Sequence, residues 1–219
     1  MSQLEARREW SEDAEVESAP PACSDPGEAA AQTPSTPIVL RTPWQRRLIN
    51  AIGKRFPRNT VRDCVATTMH FQASPQAVWE SIRFYEEVPG IAPWLLRFAL
   101  PAPRRTQGAK QSVGAVILCE YEHASIIKQI RAVRPAEELR FDAIQQSFGI
   151  EDALNLGEGS YVLRPTADGG TDVTLSTWYR GHLRPRWLAK ACEAWFAHML
   201  HRHILRGMQQ VCAEISRPG

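Results

Sequence analysis

Three histidines stand close together in the C-terminal part of the chain, at His198, His201 and His203, and such clusters can bind metals or move protons. On a helix, at about 100° per residue, His198 and His203 point about 140° apart. The three rings therefore cannot converge on one ion. No carboxylate stands at the spacing that would complete a His198–His201 pair, and the HExxH pattern is absent. The sequence predicts no metal site and no cofactor.

His203 falls on the apolar stripe of the same predicted helix, together with Phe196, Leu200 and Gly207. Facing a cavity, His203 could donate a hydrogen bond to a ligand or act as a base. The alternative, commoner for buried polar groups, is a core histidine with a protein partner. Gly207 either makes room for a ligand or lets the helix pack closely on its neighbours.

Aromatic side chains supply the other candidates, because they combine a large apolar face with a polar tip. Trp94 lies in a proline-bounded segment and Trp178 on a predicted strand. Tyr121, Tyr161 and Tyr179 also lie on predicted strands and could point their hydroxyls inward. Charged residues on these strands would need partners or a charged ligand head group if they face the interior; they are Glu120, Lys128, Arg131 and Asp142.

The elements that must position these residues follow from hydrophobic periodicity. Alternation predicts a first strand over 60–72, Ser74 and Pro75 begin a helix that runs to about Glu86, and residues 91–96 form a second short helix or turn. Residues 101–108 are predicted to be a loop. Short turns then join strands that must pair antiparallel, and a long helix follows. The predicted strands are 113–122, 125–133, 139–147, 159–164 and 171–180, and the helix covers about 185–216; this order indicates the α+β class.

The small net charge of +2 over 219 residues conceals two oppositely charged segments. Residues 1–35 carry two arginines and eight acids, a net charge of −6, whereas residues 36–60 carry six bases and no acid. Few large apolar side chains occur near the start, so we expect residues 1–40 to be a disordered acidic tail rich in Pro and Ala. Residues 41–58 are predicted to be a basic amphipathic helix, and 59–216 a single ligand-binding domain.

The basic helix has two interpretations. Apolar residues recur at helical spacing from Trp44 to Phe56, while Arg46, Arg47 and Lys54 fall on the other side. Such a helix with a Trp on its apolar face can lie on an anionic membrane surface. The commoner outcome is that the apolar face docks on its own domain and the arginines stay in water.

Several classes of protein are excluded by composition. The sequence lacks a run of about 20 apolar residues, so no membrane-spanning helix is predicted, and charges occupy the place of a signal peptide's apolar region. Five cysteines, odd in number and scattered, indicate a reduced cytoplasmic protein, with peripheral membrane contact as the open alternative. The small charge gives no argument for nucleic-acid binding. The sequence leaves the oligomeric state undetermined.

Three segments carry a resemblance to a known superfamily. They are Phe71–Trp79 (FQASPQAVW), where a strand runs into a Ser-Pro helix start, Val113-Gly114 at the opening of a strand, and Asp168–Thr171 (DGGT) with Val173 before the last strand. In their order and spacing, these resemble the START-like helix-grip superfamily of polyketide cyclase/dehydrases, lipid-transport domains and birch-pollen-allergen-like proteins.

The resemblance implies a curved antiparallel sheet of six or seven strands wrapped around a long C-terminal helix, with two short helices after the first strand. It also implies a cavity for an apolar ligand between sheet and helix. Members range from carriers to enzymes and share no universal catalytic residue, so fold transfers better than function.

The expected function is binding, with transport as an extension, of an apolar small molecule or lipid in that cavity. One alternative is a cyclase/dehydratase-type enzyme in which a His or Tyr moves protons. Another is a protein-interaction module, whose interior would be filled. The ligand-binding residues expected from the sequence are Trp94, Tyr121, Tyr161, Trp178, Phe196, Leu200, His203 and Gly207, with His203 as the one candidate for catalysis.

Overall fold

A computed structural model describes residues 44–215 of the chain, without the side chain of Phe98. The predicted acidic tail and the first residues of the predicted basic helix lie outside the described residues. Twelve elements follow one another: a helix, a strand, three short helical segments, six further strands and a long helix. The α+β class is confirmed.

Seven antiparallel strands form a single sheet in the order β1-β7-β6-β5-β4-β3-β2. The first and last strands pair, Asp63 with Tyr179 and Phe71 with Thr171, so β1 is brought next to the strand that leads into the final helix. The other neighbours are joined by short connections, as antiparallel pairing allows. The strands are β1 Asp63–Phe71, β2 Pro103–Gln107, β3 Val116–Tyr121, β4 Ala124–Arg134, β5 Glu138–Gln146, β6 Leu154–Pro165 and β7 Thr171–Gly181.

The helices cover one face of this sheet and its flank. The long C-terminal helix packs against β1, β7 and the first short helix. A 3-10 turn over Tyr85–Glu87 follows that short helix. The α-helices are α1 Trp44–Gly53, α2 Pro75–Glu80, α3 Trp94–Ala99 and α4 Arg186–Ile215.

Several local expectations were wrong in extent. The strand predicted over 159–164 begins at Leu154, the short helix predicted over 91–96 covers Trp94–Ala99, and the basic helix predicted over 41–58 ends at Gly53. The predicted loop over 101–108 contains β2, an exposed edge strand whose proline stands at its first residue, where no ladder hydrogen bond is lost. The helix that begins at Ser74 ends at Glu80 rather than near Glu86. There the Ser81 hydroxyl donates to the carbonyl of Val78 at 2.7 Å, a local bond that competes with helix continuation.

A buried ion pair lies at the centre of the packed part of the core. The Lys128 ammonium of β4 lies 3.0 Å from the Glu86 carboxylate and 4.1 Å above the ring of Phe84. The Tyr121 hydroxyl donates to the same carboxylate. Burial by itself would raise the pKa of Glu86, but Lys128 and the Tyr121 hydroxyl hold that pKa below its usual value. Both charges are thus compensated within the core.

α1 docks on the turn before β6, and it does so through a polar face. The amide of Asn50 exchanges two hydrogen bonds with Asp152, at 3.0 and 2.7 Å. A Cβ at Gly53 would lie 2.3 Å from the Asp152 carbonyl oxygen, so only glycine allows this approach. Arg46 is buried on this face, whereas Trp44 is 70% exposed. The expectation that the apolar face docks and the arginines stay in water is therefore wrong for Arg46.

The cysteines and the hydropathy of the helices complete the description of the fold. Cys119, Cys192 and Cys212 are free thiols. Cys64 is disulfide-bonded, against the expectation that all five cysteines are reduced. Among residues 44–215, no helix has the length and apolarity that crossing a membrane would require.

Candidate functional site

A cavity of about 1060 Å³ opens between the sheet and the N-terminal half of α4, with α1 and α3 at its sides. Its walls are mostly apolar side chains. Ile49, Ile91 and Trp195 line it and are also exposed, so they mark its mouth. The part of α4 over the cavity, residues 186–200, has no fully buried residue, whereas the part beyond it does.

The helix wall is formed by residues at helical spacing. Phe196, Leu200 and His203 of α4 line the cavity, and their separations of four and three residues place them on one face. Farther along, Ile204 and Leu205 are buried against the sheet and the short helices. One helix therefore serves as cavity wall in its first half and as core in its second.

The sheet wall comes from the paired ends of β6 and β7. Leu154, Leu156, Thr177 and Tyr179 line the cavity. Because side chains alternate along a strand, Trp178 between two lining residues points to the opposite face of the sheet. The sequence did not show which alternate side chains of each strand face the cavity. The structure decides this, because α4 covers only one face of the sheet.

Three of the expected ligand-binding residues, Phe196, Leu200 and His203, lie on the cavity wall, and five do not. Tyr121 and Tyr161 are buried in the packed core, where the Tyr161 hydroxyl donates to the carbonyl of Arg83 at 2.8 Å. The remaining three of the five are Trp94, Trp178 and Gly207.

Trp94 and Gly207 lie outside the cavity for different reasons. Trp94 is 76% exposed at the start of α3, while its neighbour Leu95 faces the cavity. A Cβ at Gly207 would lie 2.4 Å from Cγ1 of Val88, so the glycine allows close packing of α4. Of the two roles considered for Gly207, the structure places it in the packing role.

His201 is a cavity-wall histidine with both ring nitrogens engaged. Its Nδ1 lies 3.0 Å from the Thr67 hydroxyl, and its Nε2 lies 2.9 Å from the Thr177 hydroxyl. Burial, with a smaller contribution from His198, lowers its pKa to about 3. His201 is therefore a neutral, structural histidine near pH 7, the role that was expected for His203.

His203 is in a different environment only two residues away. It is half-buried, and its ring meets the edge of Tyr85 with centroids 6.0 Å apart. Within residues 44–215 its ring nitrogens have no hydrogen-bond partner. Burial, with a smaller effect of Arg206, lowers its pKa. A neutral imidazole on the cavity wall can donate to or accept from a ligand.

The histidine cluster does not form a metal centre in the described part of the chain. His198 and His201 both hydrogen-bond the hydroxyl of Thr67, at 2.8 and 3.0 Å. No group of three or more His, Cys, Asp or Glu side chains there could hold a metal ion. The polar chemistry of this wall is a hydroxyl–imidazole network.

Two buried polar groups at the cavity have no partner among the described residues. Nη1 of Arg46 and the hydroxyl of Tyr179 make no hydrogen bond, and both residues line the cavity. Burial lowers the pKa of Arg46, an effect that Glu151 partly opposes. Burial, with a smaller effect of Glu193, raises the pKa of Tyr179 to about 12. Tyr179 was within the set considered from sequence, but Arg46 was assigned to the solvent side of its helix.

No protein-family model matches the chain, and no curated protein matches its sequence. Solved structures do. Norcoclaurine synthase from Thalictrum flavum, in complex with dopamine and hydroxybenzaldehyde, is similar at a TM-score of 0.51 and 12% identity, over 87% of this chain and 100% of the synthase. A point mutant of that synthase with a transition-state analogue matches at 0.51 and 14%, over 74% and 100%.

A major latex-like protein from Panax ginseng matches at a TM-score of 0.46 and 12% identity, over 72% of this chain and 99% of that protein. The synthase structures have a curved antiparallel sheet with a long C-terminal helix, and the chain shares that arrangement. The chain therefore has the helix-grip fold that the resemblance of its sequence implied.

Proposed function

We propose that the chain binds an apolar small molecule or a lipid in the cavity between the sheet and α4. The observation that carries this proposal is the cavity itself, about 1060 Å³ with mostly apolar walls. Small-molecule sites are clefts of roughly 300–1,000 Å³ lined by apolar residues with a few placed polar groups. Removing that apolar surface from water supplies binding free energy, about 25 cal/mol per Å².

The polar groups on the wall fit a binding site as well. Nη1 of Arg46 and the hydroxyl of Tyr179 offer hydrogen bonds that no described residue takes up, and His203 lies on the same wall. The synthase of similar fold is seen with small organic molecules bound, which supports the same use of the fold here. A protein-interaction module would have a filled interior, so the open cavity favours a ligand.

The test fills the cavity with one side chain. Ala197 of α4 lines the cavity, whereas Ala191 on the same helix is exposed and does not. We expect Ala197→Trp to weaken binding of Nile red, an uncharged dye, by about tenfold or more, and Ala191→Trp to leave it unchanged. Native mass spectrometry of gently purified wild-type protein should show a bound small molecule.

The proposal is contradicted if delipidated wild-type protein takes up no fatty acid, sterol or polycyclic probe in a saturable way. It is also contradicted if the two Trp variants bind alike. Thermal unfolding of both variants checks that each is folded before its binding is compared.

A second candidate function is catalysis of the cyclase/dehydratase type, and the unpartnered ring of His203 favours it. A neutral imidazole beside Tyr85 could take a proton from a polyketide-like chain folded in the cavity. We expect His203→Ala to abolish turnover of a β-polyketone substrate and to leave dye binding nearly unchanged. Turnover that survives in the variant, or is absent from the wild type, removes this candidate.

We further propose that α1 contacts an anionic membrane. Trp44, Leu48 and Ile52, spaced by four residues, are exposed on one side of the helix, and Arg47 and Lys54 are exposed near them. Arg46 is buried, which removes it from the contact expected of it. Since α1 also borders the cavity, membrane contact would bring the cavity mouth to the lipid surface.

The membrane proposal is tested by co-sedimentation with phosphatidylglycerol vesicles. We expect the wild type to pellet and the triple variant Trp44→Ser, Leu48→Ser, Ile52→Ser to stay in the supernatant. Equal and negligible pelleting of both proteins would overturn it. Neutral phosphatidylcholine vesicles serve as the control for charge.

A further inference from the structure

Arg46 is a buried cation that no residue within 44–215 neutralises by direct contact. Arg46 lines the cavity and is 8% exposed to solvent. Its Nη1 atom has no hydrogen-bond partner among residues 44–215. Glu151 is the acid that acts on it electrostatically. However, Oε1 of Glu151 accepts from the backbone N–H groups of Phe148 and Gly149, at 2.5 and 3.0 Å. That carboxylate is held by its own turn.

The position of Arg46 is fixed by the docking of α1. Arg46 lies four residues before Asn50 and seven before Gly53, so all three share one face of the helix. Asn50 is bound twice to Asp152, and Gly53 touches its backbone. The helix face that carries Arg46 therefore stays turned toward the domain as long as α1 is docked.

A second unpartnered group lines the same cavity from the sheet. The Tyr179 hydroxyl is buried and has no partner among the described residues. Strand β7 continues into His182, whose N–H donates to the carbonyl of Ala153 at 2.8 Å. Ala153 also borders Gly53 of α1. Buried polar groups are nearly always hydrogen-bonded, so two such groups on one apolar cavity indicate a ligand with a polar end.

The sign of the ligand's charge follows from the charges on the cavity wall. Arg46 and Arg97 are the arginines, and Glu122 and Glu193 are the acids. Glu193 is already paired with Arg186 at 2.7 Å, and Glu122 is exposed. The buried charge on this wall that has no direct ion-pair partner among residues 44–215 is thus positive. A guanidinium matches the planar, two-oxygen geometry of a carboxylate or phosphate.

We propose that the ligand is an amphiphile whose anionic oxygen group, a carboxylate or a phosphate ester, pairs with Arg46. Its apolar part lies against Phe196 and Leu200 on the helix wall. This inference rests on the proposed function of the cavity and names the class of ligand that it takes.

The test compares ligands that differ only in the head group, by displacement of Nile red from the full chain. Palmitic acid, cetyl phosphate and cetyl alcohol have the same chain length. We expect the wild type to bind palmitate at least about tenfold more tightly than cetyl alcohol, since hydrogen bonds to charged groups are the stronger ones. If cetyl phosphate binds about as tightly as palmitate, the site accepts anionic head groups in general. If cetyl phosphate binds more weakly than palmitate, the site is specific for a carboxylate.

Variants assign the preference to one residue. Arg46→Met should bind palmitate and cetyl alcohol alike, with its affinity for the alcohol unchanged. Arg46→Lys should keep part of the preference, and Arg47→Met, on the exposed side of α1, should keep all of it.

The inference is overturned if the wild type binds palmitate and cetyl alcohol equally, a comparison that needs no variant. It is also overturned if Arg46→Met keeps the preference or weakens both ligands by the same factor. In these cases, uptake of Nile red and cetyl alcohol leaves the proposed function standing. Failure of the wild type to bind the dye and all three lipids would overturn both.

Discussion

The two halves of the space between the sheet and α4 share one sheet and one helix, but one interior is packed and the other is open. In the packed half, Lys128, Glu86 and Tyr121 satisfy one another within a cluster of aromatic rings. In the open half, the same sheet and the same helix enclose about 1060 Å³, and Nη1 of Arg46 and the hydroxyl of Tyr179 have no hydrogen-bond partner in the described part of the chain. Both halves therefore bury polar groups, but only the packed half provides those groups with direct hydrogen-bond or ion-pair partners among the described residues.

The difference separates stability from binding. Removing one member of a buried ion pair destabilises the protein, because the other charge stays buried and unpaired. A buried charge that has no partner already lowers the stability of the folded state. Substitutions in the packed half should thus lower the free energy of unfolding and leave ligand choice alone. Substitutions in the open half should change ligand choice and leave stability nearly constant or higher.

The largest expected effect is in the packed half. Lys128→Met leaves the Glu86 carboxylate buried and unpaired, so the free energy of unfolding should fall by about 3–5 kcal/mol. Urea denaturation measures it. Arg105→Met removes an exposed pair, with Glu120 at 2.8 Å, and should leave the urea midpoint near that of the wild type. Equal midpoints for the two variants would contradict the assignment of Lys128 to the stabilising core.

His201 should make stability depend on pH. Its folded pKa is about 3, far below the ordinary value near 6.5, so its contribution is complete above about pH 6.5 and is lost as the pH falls toward 3. The loss should reach about 1.4 kcal/mol per pH unit, because only the unfolded chain takes up the proton. Urea denaturation from pH 7.5 to about 4.5 should give a flatter profile for His201→Gln than for the wild type.

The matched control is His123→Gln, at an exposed turn. It should reproduce the wild-type profile. An unchanged slope in His201→Gln would show that burial does not keep that ring neutral.

Gly207→Ala should be destabilising by about 2 kcal/mol, because the added methyl group meets Val88 and an overfilled core is strained. Thermal and urea unfolding measure the loss. The double variant with Val88→Ala should recover most of it, a coupling that only direct contact produces. Dye binding by the single variant Gly207→Ala should be unaffected, which would fail if Gly207 instead made room for the ligand.

The smallest effect has the opposite sign. Arg46→Met should raise the free energy of unfolding of the ligand-free protein by about 1 kcal/mol, because a buried charge without a partner is removed. Urea denaturation of delipidated protein, with Arg47→Met as the control, measures it. A clear decrease in the free energy of unfolding would show that groups of the protein stabilise the charge of Arg46. The proposed difference between the packed and the open half would then be wrong.

Much of the fold was predictable because it depends on local patterns. Alternation predicted the first strand and turn signals predicted five others, and the Ser74-Pro75 start was confirmed as the cap and first residue of α2. β2 was not predicted, since an exposed edge strand containing Pro103 has no alternation of apolar residues. The end of α2 depended on a side-chain bond of Ser81 that propensity does not reveal.

The site was less predictable because each element has two faces and the sequence does not say which one meets the cavity. Phe196, Leu200 and His203 of α4 lie together on the cavity wall, as their helical spacing indicated, and their part in ligand binding stays a prediction. Trp178 was a reasonable candidate by type, but strand parity turned it to the other side. Arg46 was placed in water by the amphipathic pattern, which the polar docking through Asn50 overrides.

The sequence by itself determined the antiparallel sheet, the long terminal helix and the apolar stripe between them, because short-range periodicity and turns specify these features. Only the tertiary structure decided which histidine is free and which cation is buried. His201 and His203 differ by two residues, yet hydroxyls from two distant strands satisfy the first and none reaches the second. Such pairings depend on how elements dock, and docking is a property of the whole chain.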